Sequence, residues 1–410
     1  MRYLTPSVPA PGRSKVFVDI HVRAAIAQTL KERAIQTVAT REEATTTGSD
    51  RLPNTDASLQ FPGGGAVDVS AISDVEEVTL LARGGYNSIW LVNLDTNLEI
   101  TQPTFNNGSS SEHRLIDRYI VRIPCADSLL PCQVSNEVAF RRFVVSKHVF
   151  VPQVYAYSAT SDPDTSYIAE EYIEGIPLST VWTTFNSSQK DSIAHKVASI
   201  VVDLAEIRFP KIGGLVPETF DPAPTVEGSK LFKGRGKFHR KDYYHIGPYE
   251  STKEYMLASY DKEIYYYSNA DEDDIDESLF EDISVANFVE HLREKRAVTE
   301  KMDIKDEPFV LVHGDLHGRN ILMSGDQVAA VLDWEFAGSY PWSEVLSDGG
   351  IDVVEADSEE LEEENEIWGG KIREYVEDLV EKRGWEKGDV EVLLGEGNRG
   401  LAVVRGEMVP

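Results

Sequence analysis

Apolar positions along this chain change their spacing several times, and each change predicts an element. Residues 16–38 (VFVDIHVRAAIAQTLKERAIQTV) carry apolar side chains at helical spacing and predict a helix. Residues 40–65, rich in Thr, Ser, Gly and Pro, read as a loop or linker. VEEVTLLARGGYNSIWLVNLD then reads as a strand, a turn at Gly84–Gly85 and a returning strand. After an excursion through TNLEITQPTFNNGSSSEHR, the β-branched and aromatic run Asp117–Pro124 predicts a further strand. SNEVAFRRFVVSKHV predicts a helix capped by Ser135, with Val138, Phe140, Phe143 and Val144 as its apolar side.

FVPQVYAYSATSDPDTSYIAEEYIEGIP predicts strand, polar turn, strand, and an exit where Gly175 and Pro177 redirect the chain. Ile193, Val197, Ile200, Val201 and Leu204 form a helical stripe that belongs to a core. Two short apolar runs, Phe309–Val312 and Ala329–Leu332, predict strands that bracket polar residues a bland core would not need. No internal repeat is evident.

Those polar residues suggest chemistry. Within LVHGDLHGRNILM (Leu311–Met323) and VLDWEFAG (Val331–Gly338), Asn320 follows Asp315 by five residues and Asp333 follows Asn320 by thirteen. A site that moves a phosphoryl group needs such a set. One carboxylate orients or accepts the proton of an attacking hydroxyl, while an amide oxygen and a second carboxylate hold Mg²⁺ on the nucleotide phosphates. His313 is expected to brace the loop by hydrogen bonding. At the Gly84–Gly85 turn, small residues would let backbone N–H groups approach phosphates, and Asn87 and Ser88 could add hydrogen bonds. An ordinary hairpin uses two glycines in the same way.

The run HGDLHGRNIL followed by LDWEFAG resembles the catalytic and metal-binding loops of the aminoglycoside phosphotransferase family, which includes choline kinase-like and fungal-type members. The usual loop reads roughly HGDLHPGN, so Gly318 and Arg319 depart from it while Asp315, Asn320 and Asp333 match. The resemblance implies an α+β, bilobal protein-kinase-like fold, with a small antiparallel-sheet N-lobe and a larger, mainly helical C-lobe. Residues 1–70 would form a helical extension and linker, 71–175 the nucleotide-binding lobe with its hinge, and 176–410 the catalytic and acceptor-binding lobe. ATP and Mg²⁺ are the implied cofactors. Asp315 would be the base, with Asn320 and Asp333 as metal ligands. Arg122 would stand where a kinase places its phosphate-pairing Lys and would pair with Glu137; a solvated strand-edge Arg and a surface Glu are the plain alternatives. Adenine would be read by backbone groups near Glu171 to Ile173. Trp334 and Glu335 would shape the acceptor side.

Three functions stay open on these residues: transfer to a small-molecule hydroxyl, transfer to a protein hydroxyl, and a non-catalytic pseudokinase-like module. HGD in place of HRD, with no DFG or APE segment, counts against the protein kinase. The intact Asp315, Asn320 and Asp333 set counts against the pseudokinase.

Charge narrows the partners. The formal net charge of −30 disfavours nucleic acid and anionic membranes and suits a neutral or cationic, amine-bearing acceptor better than a polyanion. Acids concentrate in DEDDIDESLFED (271–282), expected as a solvated insertion, and in IDVVEADSEELEEENEIW (351–368), expected as an exposed helix with Trp368 docked back. The basic, aromatic stretch KLFKGRGKFHRKDYYH reads as a surface loop. Two cysteines, Cys125 and Cys132, make neither a disulfide framework nor a zinc pattern. The N-terminus lacks an apolar signal core, so the cytoplasm is expected. Six Lys/Arg against two acids in residues 1–40 keep a mitochondrial presequence as the lesser alternative.

Overall fold

The computed structural model describes residues 75–395, apart from 85–86, 104–110, 125–128, 146–148, 164, 218, 224–234, 276–279, 281–282 and 347–349. The expected helix at 16–38, the linker at 40–65, Gly85 and Cys125 lie outside the described residues. The chain divides into two units, one built on a sheet and the other holding residues 126–153 and everything from Ile173 onward.

The first unit is a five-stranded antiparallel sheet. Its strands are β1 (Val75–Arg83), β2 (Asn87–Pro103), β3 (Ser111–Pro124), β4 (Val154–Ser158) and β5 (Tyr167–Glu171), in the order β1-β2-β3-β5-β4. Alternation decides which face is buried. Trp90, Val92 and Leu94 of β2 and Tyr119, Val121 and Ile123 of β3 point into one apolar cluster with Tyr167 and Ala169 of β5. The segment expected to be an excursion is instead strand on both sides. Leu98–Pro103 pairs with Ser111–Ile116, after a register shift between Asn93 and Leu98. The sequence Leu98-Glu99-Ile100-Thr101 does alternate apolar with polar, but the shift separates it from the preceding apolar run and hides the continuity.

In the second unit, helix α1 (Cys132–Val145) packs Ala139, Phe140 and Val144 against Ile200, Leu204, Leu311, Val331 and Trp334. Ser135 lies inside α1 and is not its cap. Gln133 organises the start: its backbone N–H donates to Leu129 O at 2.9 Å, and its side chain accepts from Leu129 N at 3.0 Å. After β6 (Ile176–Pro177) and the short α2 (Leu178–Val181) comes α3 (Ser187–Ala205). Asn186 and Gln189 form a reciprocal capping box at its start. The whole expected stripe of α3, Ile193 to Leu204, is buried.

Short strands β7 (Arg208–Phe209), β8 (Gly214–Leu215) and β9 (Pro222–Ala223) lead to α4 (Thr252–Asn269), capped by Ser251, and α5 (Val285–Lys301), capped by Ser284. α4 and α5 share a tyrosine-rich cluster with Tyr249, Phe288, Leu292 and Tyr340. In the described part of the acidic run 271–282, Asp271 and Asp273 are exposed, as a solvated insertion requires, while Asp274 and Phe280 tether it to this cluster. Asp274 pairs with Lys237 at 2.7 Å, and the Phe280 ring meets Phe288 at 5.8 Å. In the basic stretch, the described charges are exposed while Phe238 and Tyr244 are buried.

The remaining strands are β10 (Phe309–Val312), β11 (Ile321–Ser324), β12 (Gln327–Val331) and β13 (Gly338–Pro341). They form two small sheets, β13-β10-β7 and β12-β11-β6. The second acidic run becomes helix only from Glu359, where α6 (Glu359–Lys382) begins; Ile351, Val353 and Val354 are buried ahead of it. Trp368 does dock back, edge-on to Trp182 with ring centroids 5.3 Å apart. Helix α7 (Lys387–Leu393) follows and adds Val390 and Leu393 to the same core.

Candidate active site

The loop between β10 and β11 carries His313 to Asn320, and the β11–β12 hairpin returns the chain to it. Backbone N–H of Leu332 donates to Asn320 O at 2.7 Å, which sets Asp333 beside a residue thirteen positions earlier in the chain. The hairpin turns at Gly325, whose φ of +62° lies where L side chains are disfavoured.

His313 is the brace expected. One ring nitrogen, Nε2, meets Leu332 O at 2.8 Å, and Nδ1 accepts the backbone N–H of Asp315 at 3.3 Å. Those two contacts require the neutral tautomer with its proton on Nε2. Burial pushes the imidazole below its ordinary pKa, in keeping with that tautomer. Its ring also lies edge-on to buried Trp334, 4.7 Å between centroids. Beside it, Gly314 has φ +83°, and a Cβ there would stand 2.4 Å from Phe336 O.

Asp315 is about one-fifth exposed and surrounded by donors. Oδ1 accepts from His317 Nε2 at 3.0 Å, and Oδ2 accepts from Asn320 Nδ2 at 2.9 Å. The same Asn320 Nδ2 bonds Asp315 O at 2.8 Å. Burial, the largest influence on the carboxyl, opposes its charge. The His317 hydrogen bond, the neighbouring imidazoles and Arg319 outweigh it and hold Asp315 below the ordinary carboxylate range. With Nδ2 turned to Asp315, the amide oxygen of Asn320 is the atom left to face a cation.

Asp333 opens a 3-10 turn (Trp334–Phe336) with φ 61° and ψ 65°, a left-handed backbone uncommon for a residue other than glycine. Trp334 and Glu335, expected to shape the acceptor side, are both buried instead. Trp334 donates to Val331 O, and Glu335 accepts from Gln133 Nε2 at 3.1 Å. Asn136 Nδ2 donates to Ala337 O at 2.9 Å. Helix α1 therefore grips the segment that follows Asp333.

Other candidates lie on the first unit or at its end. Gly84 N–H donates to Asn87 O at 2.8 Å across the β1–β2 turn, and a Cβ at Gly84 would meet nothing closer than 3.6 Å. Ser88 is buried: its hydroxyl contacts Ile123 O at 3.4 Å and accepts from Trp90 Nε1 at 3.2 Å. Arg122 is not at a strand edge in solvent. It sits on central β3, opposite Ile89 and Ile168, and is 5% exposed. Glu137 stands in the second turn of α1, buried, with Arg141 Nη1 3.5 Å away. Glu171 ends β5, and Ile173 begins the second unit's share of the chain.

A family model described as "Phosphotransferase enzyme family" (APH) matches residues 102–361, more than half of the chain. The chain belongs to the APH phosphotransferase family. Its sheet unit and mainly helical unit give this member an α+β fold of the protein-kinase-like kind. One stretch is 28% identical over 145 residues to the Kluyveromyces lactis protein "Altered inheritance of mitochondria protein 9, mitochondrial", covering 32% of this chain and 23% of that protein. The match thus spans less than a quarter of that relative's length. Among solved structures, aminoglycoside phosphotransferase APH(4)-Ia is 15% identical with a TM-score of 0.43, over 82% of this chain and 96% of that one. ADP-bound aminoglycoside phosphotransferase APH(2'')-Ib is likewise 15% identical, with a TM-score of 0.42 over 82% and 94%.

For an APH member, the chemistry of the donors decides whether Mg²⁺ fits. Among the described residues no three His, Cys, Asp or Glu side chains gather as a metal cage. Mg²⁺ bound to nucleotide needs only one or two protein carboxylates, the rest of its shell being water and phosphate oxygen. The Asp333 carboxylate and the Asn320 amide oxygen are hard donors of that kind. Pattern alone gives His317, Gly318 and Arg319 no chemical role, although Gly318 and Arg319 stand where the usual family loop differs. The placement of His317, two positions after Asp315 in a polar loop, was the one available signal.

Proposed function

We propose that this chain transfers the γ-phosphoryl group of ATP to a hydroxyl of a small molecule. One observation carries the reading: the Asp315 carboxylate accepts hydrogen bonds from His317 and Asn320, with left-handed Asp333 set beside Asn320. A carboxyl below the ordinary range is too weak a base to ionise a free alcohol. It orients the hydroxyl and takes its proton as the new O–P bond forms. The bond from the γ-phosphorus to its bridging oxygen breaks, and ADP leaves with the electron pair. Because such transition states are loose, positioning and charge neutralisation supply most of the acceleration.

Asn320 and Asp333 would hold Mg²⁺, which neutralises phosphate charge when bound. Arg122 would steady the α- and β-phosphates with Glu137 as its partner. Gly84, Gly85 and Asn87 would offer the hairpin to the phosphates, whereas the buried Ser88 hydroxyl is directed to Ile123 O and Trp90 Nε1. Backbone groups from Glu171 to Ile173 would meet adenine. The acceptor would be a small hydroxyl compound rather than nucleic acid, membrane or protein.

Thermal melting of the full chain with ATP plus Mg²⁺, ATP plus EDTA and GTP plus Mg²⁺ tests nucleotide binding, and ADP release across an acceptor panel tests transfer. A metal-dependent rise in Tm together with acceptor-dependent ADP supports the reading. A rise without any transfer favours the non-catalytic module, for which Arg122 on β3 in place of a phosphate-pairing Lys is the supporting feature. No rise at saturating nucleotide sinks the transferase and favours the module in its protein-interaction form.

The cytoplasm remains our proposed location. No helix among the described residues is long and apolar enough to cross a membrane. The relative's name places that protein in mitochondria. Fractionation of cells carrying a C-terminally tagged chain separates the two compartments.

A further inference from the structure

Arg319 occupies the middle of the short 3-10 turn Gly318–Asn320, a position that is glycine in the loop it resembles. Its guanidinium stands 3.9 Å from Asp315 Oδ2 and 3.7 Å from Glu355 Oε1. Both are ion-pair distances longer than a hydrogen bond. The side chain is 56% exposed and Glu355 68% exposed, so the pair is weak and yields readily to a better-placed anion. The turn beneath it is not loose. Gly318 N–H donates to Asp352 O at 2.7 Å, and a Cβ at Gly318 would lie 2.2 Å from Val353 O. Asn365 in turn holds Val353 N at 2.9 Å, Val354 N at 3.0 Å and Val354 O at 3.0 Å. A cation is thus anchored beside the carboxylate that orients the acceptor.

We propose that Arg319 reads an anionic group, a carboxylate or a phosphate, carried by the acceptor close to the hydroxyl that Asp315 orients. The inference rests on the phosphotransfer reading above. A hydroxyl hydrogen-bonded to Asp315 lies about 2.6–3.2 Å from its carboxylate. A substituent one or two carbons away then falls within reach of a guanidinium 3.9 Å from the same oxygen. Planar, forked donors match carboxylate and phosphate oxygens two at a time, and Arg319 would exchange its long contact with Glu355 for that pair. The acceptor class becomes hydroxy acids and phosphorylated polyols or sugars. Net charge over the whole chain does not decide the matter, because screening confines distant charges to about 8 Å at physiological salt.

Isothermal titration of the full chain, with AMP-PNP and Mg²⁺ filling the nucleotide site, would compare D-glycerate and glycerol 3-phosphate with glycerol and choline. The two anionic probes separate carboxylate from phosphate. At least one should bind wild type about tenfold or more tighter than glycerol. Arg319→Gln should remove most of that difference and Arg319→Lys retain part of it, with AMP-PNP affinity changed less than about twofold. Equal binding of anionic and neutral probes overturns the proposal, as does an Arg319→Gln loss confined to AMP-PNP. ADP release separates the two inferences. Arg319-dependent anion binding without ADP release sinks transfer and leaves the anion site standing. Turnover of choline alone sinks the anion site and leaves transfer standing.

Discussion

The backbone N–H of Gly318 donates to the carbonyl of Asp352 at 2.7 Å, tying the loop that bears Asp315 to a segment more than thirty residues further along the chain. Proline could not make that bond, and no side chain fits the approach, since a Cβ would reach Val353 O at 2.2 Å. The departure from the usual loop at this position therefore has a local cause. Gly318→Ala forces either the turn or residues 352–353 to move. We expect a loss of about 1–3 kcal/mol in denaturant unfolding, with a fall in turnover. Unchanged stability would mean that the two segments separate without cost.

His313 supplies a pH signature. Its folded pKa lies below the ordinary 6.5, so the unfolded chain binds the extra proton first. Its contribution to stability is thus fully present above about 6.5 and is lost as the pH falls from there toward the folded value. Wild type should lose stability between pH 7 and 5 more steeply than His313→Gln. Denaturant midpoints across that range provide the check, and parallel slopes would remove His313 as the cause.

Asp315→Asn keeps an oxygen near the acceptor but cannot take its proton or hold its negative charge. Turnover should fall by about 10²–10⁴-fold, the usual worth of a positioned acid or base. The Mg-ATP-induced rise in Tm should persist. Single-turnover ADP release measures the first and melting the second; undiminished turnover excludes Asp315 as the base.

Asp333→Gly separates backbone strain from ligand binding. Glycine adopts φ 61°, ψ 65° without the Cβ clash, so the unliganded chain should gain about 1 kcal/mol. The same change removes a hard oxygen donor, and the Mg-ATP-induced rise in Tm should vanish. If Mg-ATP still raises Tm, Asp333 does not hold the metal.

Local sequence determined a good deal of this protein. The stripe from Ile193 to Leu204, the hairpin around Gly84 and the strand through Arg122 follow from periodicity and turn chemistry, which act over a few residues. The order Asp315, Asn320, Asp333 is legible because its members lie on one loop and the next hairpin, and its chemistry matches a known family loop. Tertiary structure decided the rest. Ser135 has the residue type of a cap, yet Gln133 and Leu129 begin the helix ahead of it. Adjacency alone points Trp334 and Glu335 toward the acceptor, whereas α1, two hundred residues earlier, turns Glu335 inward. The neutrality of His313, the need for glycine at 318 and the cation that Arg319 sets beside Asp315 all arise where distant backbone meets the loop. Periodicity records which face of an element is buried, but not which residue elsewhere in the chain will cover it.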